Sequence, residues 1–400
     1  MIDLSAPVAA GRPEPDVLAR VTALGGRAFV VDPRFSRAIA SETNFRATLP
    51  WFDRVVAIEF ATADRFDSGA SWRGRVVGDL RGDAVLTTVQ PLIRDSAVLP
   101  SDERRFDLIV WSPDVGTLQV TSLRGEFVLL RNQFHPTALR CGVRRAGGRE
   151  LAAASERRAA CGDTVDVSVA YTEQAKKTVL DETGVVLAAH SAVACANAAL
   201  EWSGVTSFKF HLLDVFAVEF TEPAEGIGAL LEGAIRGQGE YRVLHDRRGN
   251  ADLLSVFVED QRMAAGWAQF IADPRSSRGD DALSVVNVSA AAPMLTLAHE
   301  LGHNLGCDHD VARCKCCGSS GCDRHGFRFQ LGPNDERITV MAEGATLDAG
   351  SSFTNRVPRY SAPLPYLGGP LHGESCCANN ARVLQAVGCF AAGFRGRGNR

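Results

Sequence analysis

The 400-residue sequence lacks long apolar runs, a surplus of charge of one sign and a leader-like N-terminus. No run of 18 apolar residues occurs, so the sequence predicts no transmembrane helix. The formal net charge is only −4, which gives no reason to expect a nucleic-acid partner. The first residues include Asp3 and contain no apolar stretch of signal-peptide length, which counts against classical secretion of the chain as written.

Cysteines, in contrast, are abundant and unevenly placed. Nine of the 11 lie from Cys195 onward, and seven of these fall between Cys307 and Cys377. Exported proteins use thiols in this way to form disulfides, whereas cytosolic proteins rarely concentrate them. The sequence therefore predicts a secreted, disulfide-bonded protein with one thiol left over, because the count is odd. A structural zinc in the cysteine-rich loop 314–322 is the alternative for four of these thiols.

The first part of the chain is rich in strand signals. Short apolar or alternating runs separated by Gly, Pro and Asp predict an antiparallel β domain over about 50–135. The runs are 55–60, 85–89, 106–111, 117–123 and 127–130. Residues 136–163 are rich in Gly, Ala and Arg and carry the pairs Arg144-Arg145 and Arg157-Arg158, which predicts a linker with sites for processing.

The second part alternates strand and helix signals. Strands are predicted at 165–172, 208–217, 250–258 and 283–288, and an edge strand at 267–271. A long helix is predicted over 174–203, helical or loop segments over 225–248, and a final helix over 381–391. A further helix is predicted to open near Pro293, because proline is tolerated in the first turn. The pattern indicates an α+β domain.

One stretch, from His299 to Asp310, carries the chemistry. His299 and His303 are four residues apart, which places both imidazoles on one face of a helix. Gly306 lets the chain turn back, so that His309 arrives as a third ligand. Three neutral imidazoles leave one position of a tetrahedral zinc open for water, and Glu300 can take a proton from that water. A buried amphipathic helix with hydrogen-bonded histidines is the alternative.

The spacing HExxHxxGxxH, followed by Asp310, resembles the metzincin zinc endopeptidases of the reprolysin (adamalysin) branch. The resemblance implies an α+β catalytic domain, with a mixed twisted five-stranded sheet, long helices, a zinc-site helix and a Met-turn, preceded by a β-rich pro-domain. It implies zinc bound by His299, His303 and His309, with Glu300 as the catalytic base. Asp310 is expected to orient the loop or a ligand through a hydrogen bond outside the metal's own ligand set.

Two later segments extend the resemblance. Met341 follows His309 by 32 residues and is similar to the methionine of the Met-turn. Some metzincins have a Tyr ligand two residues beyond that methionine; Glu343 stands there in this chain, so three protein ligands are expected. Residues 352–360 resemble the segment that lines the primed-side specificity pocket of the family.

The residues around Cys141 suggest latency. The run from Arg140 to Val143 resembles the cysteine switch of metalloproteinase propeptides, in which a thiolate occupies the open zinc position. The match is incomplete, because no proline precedes Arg140 and Arg144-Arg145 stand where Pro-Asp is expected. A disulfide, for example with Cys161, remains the alternative.

Together these observations predict three regions: a β-rich propeptide-like domain at 1–140, a linker at 141–163, and a metzincin catalytic domain at 164–400. The expected function is zinc-dependent cleavage of protein or peptide substrates by a monomer that is made as a latent precursor. The substrate is expected to pair with the edge strand near 267–271. The alternatives are a non-catalytic zinc-containing peptide-binding or adhesion module and a zinc amidase acting on a non-protein amide. One catalytic Zn²⁺ is expected; a Ca²⁺ site does not follow from the residues.

Overall fold

A computed structural model of the chain describes residues 2–3, 27–30, 44–51, 54–90, 104–114, 116–123, 127–132, 140–145, 162–259, 264–275, 279–310, 323–333, 335–343 and 355–395. The chain divides into two compact units. The first consists of Met1–His135 and Leu180–Ala194. The second consists of Pro136–Val179 and Cys195–Arg400.

The first unit contains a nine-stranded sheet in the order β1-β3-β4-β5-β6-β7-β8-β9-β2. Every neighbouring pair is antiparallel except β1 and β3, which are parallel. The strands are β1 (Ile2–Asp3), β2 (Arg27–Val30), β3 (Phe45–Trp51), β4 (Arg54–Phe66), β5 (Gly69–Val77), β6 (Gly82–Val89), β7 (Arg105–Ser112), β8 (Gly116–Leu123) and β9 (Phe127–Asn132).

One face of this sheet carries an apolar cluster, which alternate residues of the strands β3 to β8 form. Trp72 and Val76 of β5 face inward in this way, and both are buried. Gly74 holds the inward position between them, since a Cβ there would lie 2.7 Å from the ring of Phe60. Small and large residues therefore alternate on this face so that adjacent strands pack without overlap.

The second unit contains a six-stranded mixed sheet in the order β10-β14-β15-β13-β11-β12. Its elements in chain order are β10 (Arg140–Arg145), β11 (Thr164–Tyr171), α1 (Glu173–Thr178), α2 (Glu182–Trp202), β12 (Lys209–Ala217), α3 (Ile227–Arg236), α4 (Arg242–Arg248), β13 (Leu253–Val258), β14 (Ala264–Phe270) and β15 (Leu283–Asn287). Strands β11, β12, β13 and β15 run parallel to one another, and β14 is antiparallel to β15. The first residues of α2 belong to the first unit.

The elements after β15 are α5 (Thr296–Asn304), β16 (Asp308–Asp310), β17 (His325–Gly326), β18 (Arg328–Gly332), β19 (Asp335–Ile338), β20 (Ala362–Pro365), β21 (Leu371–His372) and α6 (Asn380–Ala391). Strands β16 to β21 form three small two-stranded sheets. The predicted α+β character with a mixed sheet is confirmed. Helix α5 packs against β14 and β15, which brings the predicted metal-binding stretch to this end of the sheet.

Four expectations about these elements were wrong, three of which concern the sheet and the start of α5. The sheet has six strands and not five, because residues 140–145, predicted as linker, form β10 alongside β14. The strand predicted at the edge, β14, therefore lies between β10 and β15. Helix α5 begins at Thr296 and not at Pro293, because the preceding Leu295 has φ 56° and cannot continue a helix backwards.

The long helix predicted over 174–203 is two helices. Thr172 begins α1 by accepting a hydrogen bond from the backbone N–H of Ala175 at 3.1 Å. Asp181 begins α2 in the same way, since its Oδ1 accepts from Gly184 N–H at 2.9 Å. Between them Leu180 has φ 83°, which ends the first helix. Two capping side chains thus override one continuous apolar pattern.

Among the described residues, α2 alone is long and apolar enough to satisfy a length and composition test for crossing a membrane. Its most apolar window is 72% buried inside the protein, which is typical of a core helix.

Candidate metal centre

Helix α5 holds the first two histidines in the interior of the protein. All nine of its residues are buried, which is unusual for a helix that contains Glu300 and two histidines. The helix ends where Gly306 adopts φ 85°, a left-handed conformation that suits glycine. The chain then reverses into β16, and His309 returns toward the helix, as the sequence predicted.

The three predicted ligands converge on one point. The Nε2 atom of His303 lies 3.0 Å from Nε2 of His299 and 3.0 Å from Nε2 of His309, and the remaining Nε2–Nε2 distance is 3.2 Å. Zinc–nitrogen bonds of about 2.0–2.1 Å in tetrahedral geometry would place these atoms about 3.3–3.4 Å apart. The spacing therefore fits a single small ion.

Hydrogen bonds on the far side of each ring define its tautomer. His299 Nδ1 lies 2.6 Å from the carbonyl oxygen of Val340, and His303 Nδ1 lies 2.8 Å from that of Cys307. His309 Nδ1 lies 3.1 Å from the Glu343 carboxylate. Carbonyl and carboxylate oxygens only accept here, so each Nδ1 carries the proton and donates it. Each neutral ring thus turns an Nε2 lone pair inward, and three converging lone pairs are a suitable ligand set for a cation.

Burial favours the neutral form of His299. Burial first, and then the neighbouring His303, hold the pKa of His299 well below its usual value of 6.5. Neutral imidazole is the form that ligates a metal. The residues present therefore fit the zinc ion that the sequence predicts.

Glu300 lies beside the strand β14. An ideal Cβ built on Gly266 would come within 2.5 Å of Glu300 Oε1 and 2.9 Å of Glu300 Cγ. No side chain larger than hydrogen fits at position 266 unless the glutamate moves. Spacing within the motif did not reveal this dependence, because Gly266 is 34 positions earlier in the chain.

We expect Gly266→Ala to displace the Glu300 carboxylate and to lower kcat for any reaction that Glu300 assists, by about 10²-fold, because a catalytic group misplaced by about 1 Å costs about that much. Bound zinc should stay unchanged. Gly332→Ala is the matched control, since the nearest atom to its Cβ, on Asp335, is 3.9 Å away. Equal kcat for Gly266→Ala and the control would contradict the prediction.

Met341 lies under the helix that carries the histidines. Its side chain is fully buried, and a Cβ on Gly302 would lie 2.4 Å from Met341 Sδ. The turn that carries it closes with a hydrogen bond of 3.0 Å from Ala342 N–H to the Thr339 carbonyl. The same turn supplies the Val340 carbonyl to His299. The turn and α5 are thus in direct contact, through a glycine on one side and a methionine on the other.

Asp310 does not bond to a histidine ring. Its Oδ1 accepts from the backbone N–H of Glu343 at 2.7 Å, and its Oδ2 pairs with Arg328. The contribution of Arg328 and Glu343 was missed from sequence, where Glu343 was noted only for replacing a Tyr ligand. No local spacing signal could have found these contacts, since the partners are 18 and 33 residues from Asp310.

The described part of the predicted pocket segment, 355–360, is bound to the same elements. Arg356 donates to the Met294 and Ala342 carbonyls at 3.0 and 3.1 Å. The Tyr360 hydroxyl donates to the Ala298 carbonyl at 2.7 Å. These bonds join the segment to the Met341 turn and to α5; a role as a pocket wall stays a prediction.

Several cysteine predictions lie outside the described residues. These include the loop thiols of 314–322, Cys161 and the side chain of Cys141, whose backbone alone is described. Cys377 and Cys389 each take part in a disulfide bond. Cys307 is a buried free thiol, and burial raises its pKa far above the usual range, so it stays protonated.

A comparison of the sequence with known families bears on the two interpretations of the histidines. Residues 186–310 match the family described as Metallo-peptidase family M12B Reprolysin-like. The part of the chain that carries the candidate metal ligands is reprolysin-like. The matched residues contain the whole motif from His299 to Asp310, so the resemblance stated from the sequence is confirmed.

Individual relatives agree with this reprolysin-like assignment. The chain is 36% identical over 113 residues to snake venom metalloproteinase fibrolase of Macrovipera lebetinus, covering 25% of this chain and 53% of that protein. It is 37% identical over 117 residues to a zinc metalloproteinase/disintegrin of Bitis gabonica, covering 26% and 34%. The chain thus spans about half or less of the length of these relatives.

Among solved structures, a chain described as "Structure of a chaperone-substrate complex" aligns with a TM-score of 0.44 at 16% identity. The alignment covers 70% of this chain and 39% of that one. A similarity of this size supports no conclusion about fold or function.

Proposed function

We propose that the chain is a zinc-dependent endopeptidase that cleaves peptide bonds in proteins. The observation that carries the proposal is the convergence of three buried Nε2 atoms within 3.2 Å of one another, next to a buried glutamate, in a reprolysin-like segment. A structural zinc site usually has four protein ligands, whereas three leave a position open.

In this proposal His299, His303 and His309 hold the ion. Bound zinc polarises a carbonyl and lowers the pKa of water to about 7. Glu300 takes the proton from the attacking water and passes it to the leaving amine. Its buried position beside Gly266 keeps the carboxylate away from bulk water. Met341 packs against Gly302 of α5, and Asp310 orients the backbone at Glu343, just after the Met341 turn.

We further propose that the enzyme is made as a latent precursor, with a propeptide-like region at 1–140, a linker at 141–163 and a catalytic domain at 164–400. The pairing of β10 with β14 supports latency. Residues 140–145 occupy the hydrogen-bonding edge of β14 that a substrate peptide would use. Cys141 is paired with Gly266, and Gly266 lies next to Glu300. The backbone of the predicted switch cysteine is therefore near the proposed catalytic base.

The same pairing bears on where processing occurs. Arg144 and Arg145 lie in β10, paired with Gln269 and Phe270. A backbone held in a sheet is a poor protease substrate. We therefore favour Arg157-Arg158 over Arg144-Arg145 as the cleavage site that releases the catalytic domain.

We expect Cys141→Ala to raise the cleavage rate of the unprocessed chain, because the thiol can no longer close the open zinc position. The rate is measured on a quenched fluorescent peptide before any processing, which gel electrophoresis verifies. Cys161→Ala is the control. A thiol on zinc predicts activation by Cys141→Ala alone, whereas a Cys141–Cys161 disulfide predicts the same behaviour for both variants. Full latency in Cys141→Ala would contradict the switch.

Sequencing of product termini tests the proposed function directly. The processed chain is incubated with casein, with and without 1,10-phenanthroline, and new N-termini are identified by mass spectrometry. Internal cleavages that stop with the chelator are the expected result. Binding of peptides without any new terminus would indicate a peptide-binding module, and hydrolysis of small amides alone would indicate an amidase. We also propose that the enzyme is secreted and monomeric. Recovery of the protein from culture medium tests secretion, and light scattering on that preparation tests the monomeric state.

A further inference from the structure

The three histidines differ in what holds their outer nitrogens. Two of them donate to neutral backbone carbonyls, those of Val340 and Cys307. The third, His309, faces a carboxylate, with Nδ1 3.1 Å from Glu343 Oε1. The His309 side chain is 4% exposed and that of Glu343 is 23% exposed, so the pair is largely shielded from water. The carboxylate beside His309 makes the metal centre electrostatically asymmetric.

Glu343 itself is held from two sides. Its backbone N–H donates to Asp310 Oδ1 at 2.7 Å, and its carbonyl accepts from Arg328 at 2.6 Å. Arg328 also pairs with Asp310. Asp310, Arg328 and Glu343 thus form a network of hydrogen bonds in which each residue contacts the other two. The network connects strand β16, strand β18 and the chain just after the Met341 turn. These two hydrogen bonds therefore fix the backbone position from which the Glu343 side chain extends.

Glu343 is not placed to be a metal ligand. It meets His309 at Nδ1, whereas the metal-facing atom is Nε2 on the other side of the ring. Among the described residues, the buried group whose donor atoms lie close enough to share an ion contains the three histidines only. A carboxylate in this position acts through the ring that it contacts.

We propose that Glu343 is a positioning residue of the metal centre. It fixes the Nδ1–H tautomer of His309, aims Nε2 at the ion and, through its negative charge, increases the basicity of this ligand. Asp310, the next residue in the chain, holds the Glu343 backbone in return. Glu343 is thus bound to two consecutive residues, through its side chain to His309 and through its backbone N–H to Asp310. The inference rests on the metal site of the proposed function and is independent of peptide cleavage.

Metal affinity and spectroscopy test this role without activity. Glu343→Ala and Glu343→Gln are compared with wild type in the full chain, with Cys141 left in place throughout. The Zn²⁺ dissociation constant is measured by competition with a chromophoric chelator, and the visible absorption of the Co²⁺-substituted protein reports ligand geometry. Glu336→Ala is the matched control, because Glu336 also lies near Arg328, at 3.9 Å, but makes no contact with a histidine ring.

We expect Glu343→Ala to raise the Zn²⁺ dissociation constant about 10–100-fold, the usual consequence of removing such a partner, and to shift the Co²⁺ bands. Glu343→Gln keeps an oxygen that accepts from Nδ1 but loses the charge, so its loss should be smaller but measurable. Glu336→Ala should match wild type.

Wild-type affinity and Co²⁺ bands in both Glu343 variants would overturn the proposal. If Glu343→Ala does not fold, Glu343→Gln decides: weaker Zn²⁺ binding supports the role, and unchanged binding overturns it. The two proposals fail separately. A wild-type chain that binds zinc with the expected variant series but cleaves no protein would refute the peptidase and leave the role of Glu343 intact.

Discussion

Glu300→Gln is expected to lower kcat for peptide cleavage by about 10²–10⁴-fold while one zinc remains bound per chain. Glutamine has the size of glutamate and fits the space left by Gly266, so the ligand histidines should stay in place. Its amide cannot accept the proton of the attacking water. The expected loss is therefore in the chemical step, with KM nearly unchanged.

The measurement is kcat and KM on a fluorescent peptide, with zinc determined by atomic emission on the same samples. Glu232→Gln is the control, because Glu232 is half-exposed on α3 and pairs only with Arg236 among the charged groups described. A Glu300→Gln variant that cleaves at close to the wild-type rate would show that another group is the base.

His303→Ala is expected to have the largest effect on the metal itself. His303 Nε2 is 3.0 Å from the Nε2 atoms of both other histidines. Removal of His303 would leave two of the three proposed ligands. Loss of an outer hydrogen-bond partner already weakens metal binding about 10–100-fold. Loss of a ligand should exceed that, and peptide cleavage should fall with the bound zinc.

Equilibrium dialysis against buffered zinc measures this effect. His211→Ala serves as the control, because His211 pairs with Asp166 at 2.9 Å and lies half-exposed on β12. Circular dichroism verifies that both variants fold. Wild-type zinc affinity in His303→Ala would mean that the three-histidine group is not the zinc site.

Local spacing was sufficient to predict that the three imidazoles converge. His299 and His303 are four residues apart on α5, and helix geometry alone relates them. The left-handed turn at Gly306 follows from glycine's freedom at positive φ. The position of His309 could also be predicted, because it follows Gly306 by only three residues and the turn at Gly306 reverses the chain toward the helix.

Contacts between distant segments could not be predicted in this way. Glu343 reaches His309 only because β16 and the chain after the Met341 turn come together, and Gly266 reaches Glu300 only because β14 packs on α5. Neither glycine nor glutamate gives a periodic signal, and a single sequence does not reveal which remote residues meet.

Residues 140–145 show a different limit. Their composition, rich in Arg and Gly, predicts a linker, yet the backbone forms a six-residue strand. Backbone hydrogen bonds to β14 stabilise this strand, and they depend little on side-chain type. An exposed strand edge can order a segment with weak strand propensity, which composition does not reveal.

Stoichiometric titration of the metal-free chain with zinc tests the central claim most directly. Zinc is removed from the processed protein by dialysis against a chelator and is then added in steps while peptide cleavage is followed. We predict no cleavage without metal, a linear rise to one zinc per chain, and no further gain beyond it. Cleavage by the metal-free chain, or a requirement for a second equivalent of zinc, would contradict a single catalytic ion held by His299, His303 and His309.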